Sequence, residues 1–161
     1  MSIEARLQEL GLALPAVAKP VAAYVPAVES GSQVFVSGQL PMAGGQLPMA
    51  GGQLLSTGKV PSQVSIETAQ QAARQCVLNG LAALHAQLGG DWNRLVRVVR
   101  IGAFVQSDND FFQQSQVANG ASELLQAILG DAGRHARAAV GVNALPLNAP
   151  VEVEFLFEIR K

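Results

Sequence analysis

The chain has 161 residues, a formal net charge of -1 and few charged residues, 14% against 49% hydrophobic. A chain of this length is expected to form one domain and can bury roughly 70% of its unfolded surface. Because so few charged residues are available to cover the exterior, the composition favours an oligomer. The near-neutral charge and the 5% aromatic content offer little attraction for a nucleic-acid strand, so nucleic acid is not an expected partner.

The counts of cysteine and histidine exclude several kinds of site. Cys76 is the single cysteine, so no disulfide can form within the chain. With only two histidines beside it, the soft ligands are too few for a structural zinc site, and we expect no metal. No apolar run approaches the ~20 residues of a membrane span. Residues 1–10 lack the basic and then apolar layout of a signal peptide, so we expect a soluble, cytoplasmic protein.

Hydrophobic spacing predicts a single α+β domain over residues 1–161, with a short helical extension over about residues 1–20. In chain order we predict a helix at 3–10, a strand at 32–37, a helix at 65–88, a strand at 95–106, a helix ending near 129, and strands at 138–143 and 151–159. Ser65 is the expected N-cap of the first long helix, and the polar residues 107–110 are expected to cap the second. We expect a mixed sheet with both long helices on one face and another subunit covering the other face.

Residues 38–54 hold the seven-residue unit GQLPMAG twice and then begin it again. The unit contains Gly and Pro but no charged or nucleophilic group, so we interpret it as a loop or hairpin connection lengthened by an insertion. A phosphate-binding loop is excluded because Gln53 occupies its first glycine position and Val60 replaces the Ser or Thr that would bind magnesium. A loop that contacts a partner is the alternative interpretation.

Several side chains could bind or transform an acidic ligand. Arg137 is a candidate carboxylate anchor because a guanidinium can donate two parallel hydrogen bonds to a carboxylate, although a surface ion pair would also explain it. Glu152 and Glu154 share one face of a predicted strand, and either could act as a general base or hold a water molecule. A solvated strand face explains these two carboxylates equally well. Three neutral polar residues could orient a ligand: Tyr24, Ser37 and Asn119.

Nucleophilic catalysis has weaker support in the sequence. His85 and His135 could belong to a Ser-His-Asp arrangement, but the chain has no G-x-S-x-G pattern, the nucleophile elbow of one large class of serine hydrolases. Cys76 lies among apolar residues in the middle of a predicted helix, which is typical of an inert core thiol.

Three separated segments occur in an order typical of one protein family. They are Tyr24-Val25, then VSGQLP at 36–41, then ARAAV at 136–140 with Leu145-Pro146 and VEVE at 151–154. In these segments the chain resembles the RidA family, also called YjgF-type or "endoribonuclease L-PSP", over about residues 21–159. The N-terminal segment and residues 117–142 are similar to a longer branch of that family.

The resemblance implies a chorismate-mutase-like α+β fold that assembles as a homotrimer with ligand clefts between subunits. Core members of the family hydrolyse reactive 2-enamino and 2-imino acids to 2-keto acids and ammonia and need no cofactor. By the same resemblance, Arg137 would bind the substrate carboxylate and Glu152 would position or activate the attacking water. The other pocket residues that it implies are Tyr24, Ser37, Gly38 and Asn119. Because Gly38 belongs to the first copy of the repeat, that copy would line the site.

Three positions depart from the family pattern, and the first is Pro26, which follows Tyr24-Val25 where core members differ. His135 stands where the family usually has proline before Ala-Arg, and Ala139 replaces a cysteine that is common two residues after the arginine. The alternative function is therefore a non-catalytic trimer that binds small carboxylates or regulates a partner. Endoribonuclease activity, or inhibition of translation, is a further alternative suggested by the older family name, and the weak basic balance of the chain disfavours it.

Overall fold

The computed structural model describes residues 2–17, 23–44 and 53–161. In chain order its elements are α1 (Ile3–Glu9), β1 (Ala27–Ser30), β2 (Gln33–Gln39), β3 (Met42–Ala43), β4 (Gln53–Leu54), α2 (Ile66–Gln87), β5 (Leu95–Gln106), α3 (Gln114–Leu129), β6 (Ala136–Val142) and β7 (Val151–Ile159). Parts of the predicted N-terminal extension and of the duplicated loop lie outside the described residues. No helix within the described ranges is long and apolar enough to cross a bilayer.

Five strands form one mixed sheet in the order β1-β2-β7-β5-β6. All neighbouring pairs are antiparallel except β5 and β6, which run parallel with α3 in the connection between them. β3 and β4 pair with each other in a separate antiparallel sheet, and residues 45–52 of the repeat lie outside the described residues. β6 lies at one edge of the main sheet, where one side of its backbone has no neighbouring strand within the described chain.

The helices cover one face of this sheet, as predicted. Every second residue of β7, from Val151 to Ile159, is buried on the side that faces α2. The residues between them, which start with Glu152, are half-buried on the other side. α3 packs on β5 and β6 and against α2. Burying each large apolar side chain of this core contributes roughly 1.5–3 kcal/mol, so the alternation fixes which face of the sheet turns inward. The predicted α+β class with two long helices on one face is confirmed.

The opposite face of the sheet, which we call the open face, carries apolar side chains that remain exposed. Val28 on β1 and Phe35 on β2 are directly paired and are 50% and 48% exposed, and Leu156 of β7 pairs with Phe35 on its other side. Next to them, Arg100 Nη1 of β5 donates to Glu154 Oε1 at 3.1 Å. Exposed apolar side chains beside an ion pair on one face of a sheet are typical of a surface that another chain covers.

One strand was missed and one capping prediction was wrong. β1 was not predicted because it follows a Pro- and Ala-rich stretch, and it forms an edge strand through pairing with β2. Residues 107–110 do not cap α3, which begins at Gln114 with no side-chain cap. Asp108 Oδ2 instead accepts a hydrogen bond from the Ser62 backbone nitrogen at 3.2 Å. The side chain that was expected to cap α3 therefore makes a tertiary contact.

Close packing of α2 and α3 depends on Gly120. A Cβ atom at this position would overlap the Gln70 backbone carbonyl of α2. Gly120→Ala is therefore expected to lower the free energy of unfolding by about 1 kcal/mol or more, because overpacking strain exceeds alanine's ~1 kcal/mol advantage in helix propensity. Urea denaturation measures this loss, with Glu123→Ala on the exposed side of α3 as a control that should change stability by less than about 0.5 kcal/mol. A Gly120→Ala protein as stable as the wild type would contradict this packing.

Candidate functional site

Arg137 lies on β6 with its side chain on the helix side of the sheet. It is paired with Ile101 of β5, which is fully buried beneath the helices. Its Nη1 donates to Asn119 Oδ1 at 2.9 Å and to Ser122 Oγ at 3.0 Å, and both acceptors belong to α3. In the described part of the chain no carboxylate lies within 4.0 Å of this guanidinium, so the surface ion pair considered above is not formed there. The positive charge of Arg137 is held by neutral partners and is available to an external anion.

Ser122 is a site residue that the sequence analysis missed. Its hydroxyl lies 3.0 Å from His135 Nε2, and His135 Nδ1 lies 2.6 Å from the Gly133 carbonyl oxygen. Burial lowers the pKa of His135, and the positive charge of Arg137 lowers it further, against an opposing effect of the bond to Gly133. We therefore treat the ring as neutral at pH 7. Ser122 follows Asn119 by three residues, so helical spacing on α3 was the signal that could have revealed it.

Glu152 lies on the open face of β7, directly beside Gly38 of β2. A Cβ atom on Gly38 would overlap the Glu152 carboxylate, so only glycine leaves room for that carboxylate in its present position. Burial raises the pKa of Glu152, and the neighbouring negative charge of Glu154 raises it further. A half-buried carboxylate with a raised pKa keeps its proton at higher pH than an exposed carboxylate does, which favours a role in proton transfer.

Ser37 and Tyr24 are connected to Gly38 through the backbone and one hydrogen bond. Ser37 immediately precedes Gly38, and its hydroxyl donates to the Val25 carbonyl oxygen at 2.7 Å. This bond ties the segment before β1 to β2, and Tyr24, the residue before Val25, is 55% exposed. The Ser37 oxygen keeps its ability to accept a hydrogen bond from a ligand.

The candidate site residues thus fall into two groups. The arginine group consists of Arg137 with Asn119, Ser122 and His135, and the glutamate group consists of Glu152 with Gly38, Ser37 and Tyr24. Arg137 projects on the helix side of edge strand β6, whereas Glu152 projects on the open face of β7, with β5 between the two strands. One chain therefore does not bring Arg137 and Glu152 together. Across residues 2–17, 23–44 and 53–161, no three His, Cys, Asp or Glu side chains cluster as a metal site would require.

The raised pKa of Glu152 predicts a specific dependence of stability on pH. The folded chain binds this proton more tightly than the unfolded chain, so the contribution to stability is present below the unfolded pKa and is lost as pH rises through the folded pKa. Glu152→Gln, which cannot ionise, is expected to unfold at a higher temperature than the wild type at about pH 8. The difference should shrink by about pH 4, where the wild-type carboxyl is also protonated in the unfolded chain. Thermal unfolding at both pH values tests this, and a difference that does not change with pH would contradict it.

Comparison with known proteins identifies the family and the fold of this chain. Residues 4–159 match the family described as "YjgF/chorismate_mutase-like, putative endoribonuclease". The chain is 45% identical over 158 residues to Protein TCP17 of Trypanosoma cruzi, across 98% of this chain and 94% of that protein. It is similar to the crystal structure of the protein Atu1372 from Agrobacterium tumefaciens, with a TM-score of 0.88, 45% identity and coverage of 98% and 92% of the two chains. RidA from the Antarctic bacterium Psychrobacter sp. PAMC 21119 gives a TM-score of 0.59 and 27% identity, with coverage of 89% and 94%. The chain therefore belongs to the YjgF/RidA family and has its chorismate-mutase-like fold.

Proposed function

We propose that the protein is a cofactor-independent deaminase that hydrolyses reactive 2-enamino and 2-imino acids to 2-keto acids and ammonia. The observation that carries this proposal is the arrangement around Arg137. Among the described residues, the partners of this guanidinium are the neutral oxygens of Asn119 and Ser122, and both accept from Nη1. Nη2 and Nε can therefore donate two parallel hydrogen bonds to a carboxylate. Membership of the YjgF/RidA family supports the same substrate class.

The reaction needs little from the protein beyond orientation and proton transfer. With its carboxylate held by Arg137, a 2-imino acid presents an electrophilic C=N carbon, and an enamino acid reaches the same form by protonation at C3. Water adds to that carbon to give a carbinolamine, which then loses ammonia to leave the 2-keto acid. Glu152 would accept a proton from the attacking water and return one to the leaving nitrogen, for which its raised pKa is suited. Fixing water and imine next to each other supplies much of the rate enhancement.

We infer that this site forms between copies of a homotrimer, where the arginine group of one copy meets the glutamate group of the next. The placement of Arg137 and Glu152 on different faces of the sheet supports this, because a single chain cannot bring them together. The exposed apolar residues of the open face also support it, since a neighbouring copy would bury them. Around the carboxylate and the water, the other residues would shape the pocket: Tyr24, Ser37, Gly38 and Asn119.

A coupled assay tests the deaminase function. A threonine dehydratase releases the unstable 2-aminocrotonate, and the rate at which 2-ketobutyrate forms from it is followed with and without the purified protein. We expect faster release with the wild type and the buffer rate with Arg137→Ala. A wild-type rate equal to the buffer rate would refute the deaminase proposal.

A second candidate function is the binding of small carboxylates without turnover. It is favoured by the half-buried Ala139, two residues after Arg137, whose methyl group provides no hydrogen bond or nucleophile where the family commonly has cysteine. Calorimetry with 2-ketobutyrate, pyruvate and benzoate distinguishes the two functions. Binding that depends on Arg137, combined with no acceleration in the coupled assay, would support this second candidate.

A further inference from the structure

A series of hydrogen bonds connects the Arg137 side chain to the backbone carbonyl of Gly133. Arg137 Nη1 lies 3.0 Å from Ser122 Oγ, Ser122 Oγ lies 3.0 Å from His135 Nε2, and His135 Nδ1 lies 2.6 Å from the Gly133 carbonyl oxygen. His135 lies on the segment between α3 and β6, immediately before the strand that carries Arg137. These hydrogen bonds therefore link Arg137 on β6 to α3 and to the loop between α3 and β6.

The chemistry of its two ends fixes the direction of each bond. A carbonyl oxygen can only accept, so the His135 proton resides on Nδ1 and Nε2 is left as an acceptor in the neutral ring. Ser122 must then donate its single proton to Nε2. Its oxygen lone pairs are consequently directed to Arg137, which can only donate. His135 thus determines that Ser122 presents an acceptor, rather than a proton, to the guanidinium.

We propose that His135 is a positioning residue for Arg137, acting through Ser122, and that it determines how tightly the arginine holds a carboxylate. This inference rests on the proposed function, because it takes Arg137 to be the residue that binds the ligand. Without His135 the Ser122 hydroxyl can rotate and turn its proton towards the guanidinium. Arg137 then samples more orientations, and ordering it when a ligand binds costs affinity.

The geometry favours positioning over a nucleophilic role for this Ser-His pair. The Ser122 oxygen accepts a charge-assisted hydrogen bond from Arg137, which draws electron density from that oxygen and lowers its nucleophilicity. The imidazole is oriented by a backbone carbonyl rather than by a carboxylate that would stabilise its charged form. The lowered pKa of His135 agrees with a ring that stays neutral beside the arginine.

The test measures 2-ketobutyrate binding by calorimetry in a set of variants. His135→Ala is expected to raise Kd by about 3- to 10-fold, the range for loss of one orienting hydrogen bond. His135→Gln, whose Oε1 can accept from Ser122, should stay within about twofold of the wild type. His85→Ala is the matched control. His85 lies near the end of α2, and its Nε2 is also hydrogen-bonded to a backbone carbonyl, that of Gly90, at 3.0 Å. Its replacement should leave Kd unchanged.

The decisive comparison uses Ser122→Ala as a second background. If His135 acts through Ser122, His135→Ala should change Kd by less than about twofold once Ser122 is alanine. An equal loss in both backgrounds, or a wild-type Kd in His135→Ala, would overturn the positioning role while leaving the proposed function intact. By contrast, a wild-type protein that does not bind 2-ketobutyrate, or an Arg137→Ala variant that binds it as tightly, would refute the proposed function and the inference together.

Discussion

Arg137→Ala is expected to lower kcat/KM for 2-imino acid hydrolysis by about 100-fold or more and to raise the Kd for 2-ketobutyrate at least as strongly. The variant would lose two charge-assisted hydrogen bonds to the substrate carboxylate, each contributing roughly 1.5–3 kcal/mol. It would also leave the carboxylate in a partly desolvated site without a counter-charge. The coupled dehydratase assay and calorimetry measure the two quantities.

Arg134→Ala is the matched control for this substitution. Arg134 lies three residues earlier, is exposed, and its Nε is 3.5 Å from Asp131 Oδ1, so its loss changes the net charge equally without touching the proposed site. We expect activity within about twofold of the wild type, since exposed ion pairs contribute little. Arg137→Lys should fall between the wild type and Arg137→Ala, because lysine keeps the charge but cannot form two parallel bonds. Equal losses in Arg134→Ala and Arg137→Ala would show that only general charge matters.

Phe35→Glu is expected to separate the proposed homotrimer into single chains and to abolish activity. Phe35 lies at the centre of the apolar patch of the open face, between Val28 and Leu156. Burying an unpaired carboxylate there against a neighbouring copy would cost several kcal/mol per interface. Light scattering after size-exclusion chromatography should show the mass fall from about three times 16.8 kDa to a single 16.8 kDa chain.

Leu10→Glu provides the comparison for Phe35→Glu. Leu10 is 38% exposed at the end of α1, a helix that packs on α3 and so lies away from the open face. This variant should keep the trimer mass and the activity. A Phe35→Glu protein that remains trimeric and active would show that the open face is not the assembly surface.

Much of the fold could be predicted because its signals are local. The strict alternation of residues 151–159 is sufficient to identify β7 and its buried face. Ser65 accepts from the Thr68 backbone nitrogen at 3.1 Å, as an N-cap should, so the start of α2 is set by adjacent residues. The start of α3 could not be predicted from adjacent residues, because Asp108 accepts a hydrogen bond from Ser62, which is far away in sequence.

The candidate site was predictable in its residue types but not in its arrangement. A guanidinium and a carboxylate in strands indicate acid-binding chemistry, yet their relative placement depends on the strand order and on the side of the sheet each one faces. The irregular pairing of β2 with β7 between Val36 and Gln39 sets where Gly38 meets Glu152, and no local pattern encodes that irregularity. Helical spacing places Ser122 beside Asn119, but its contacts with Arg137 and His135 depend on the packing of α3 against β6.

Mixing two inactive variants tests most directly whether the site is shared between copies. Arg137→Ala and Glu152→Gln chains are unfolded and refolded together in equal amounts, with each variant treated alone as a control. If Arg137 of one copy works with Glu152 of the next, random mixing leaves about a quarter of the interfaces with both native residues, and roughly a quarter of wild-type activity should return. If both residues act within one chain, every chain in the mixture lacks one of them. An inactive mixture that contains mixed trimers would therefore contradict the shared site.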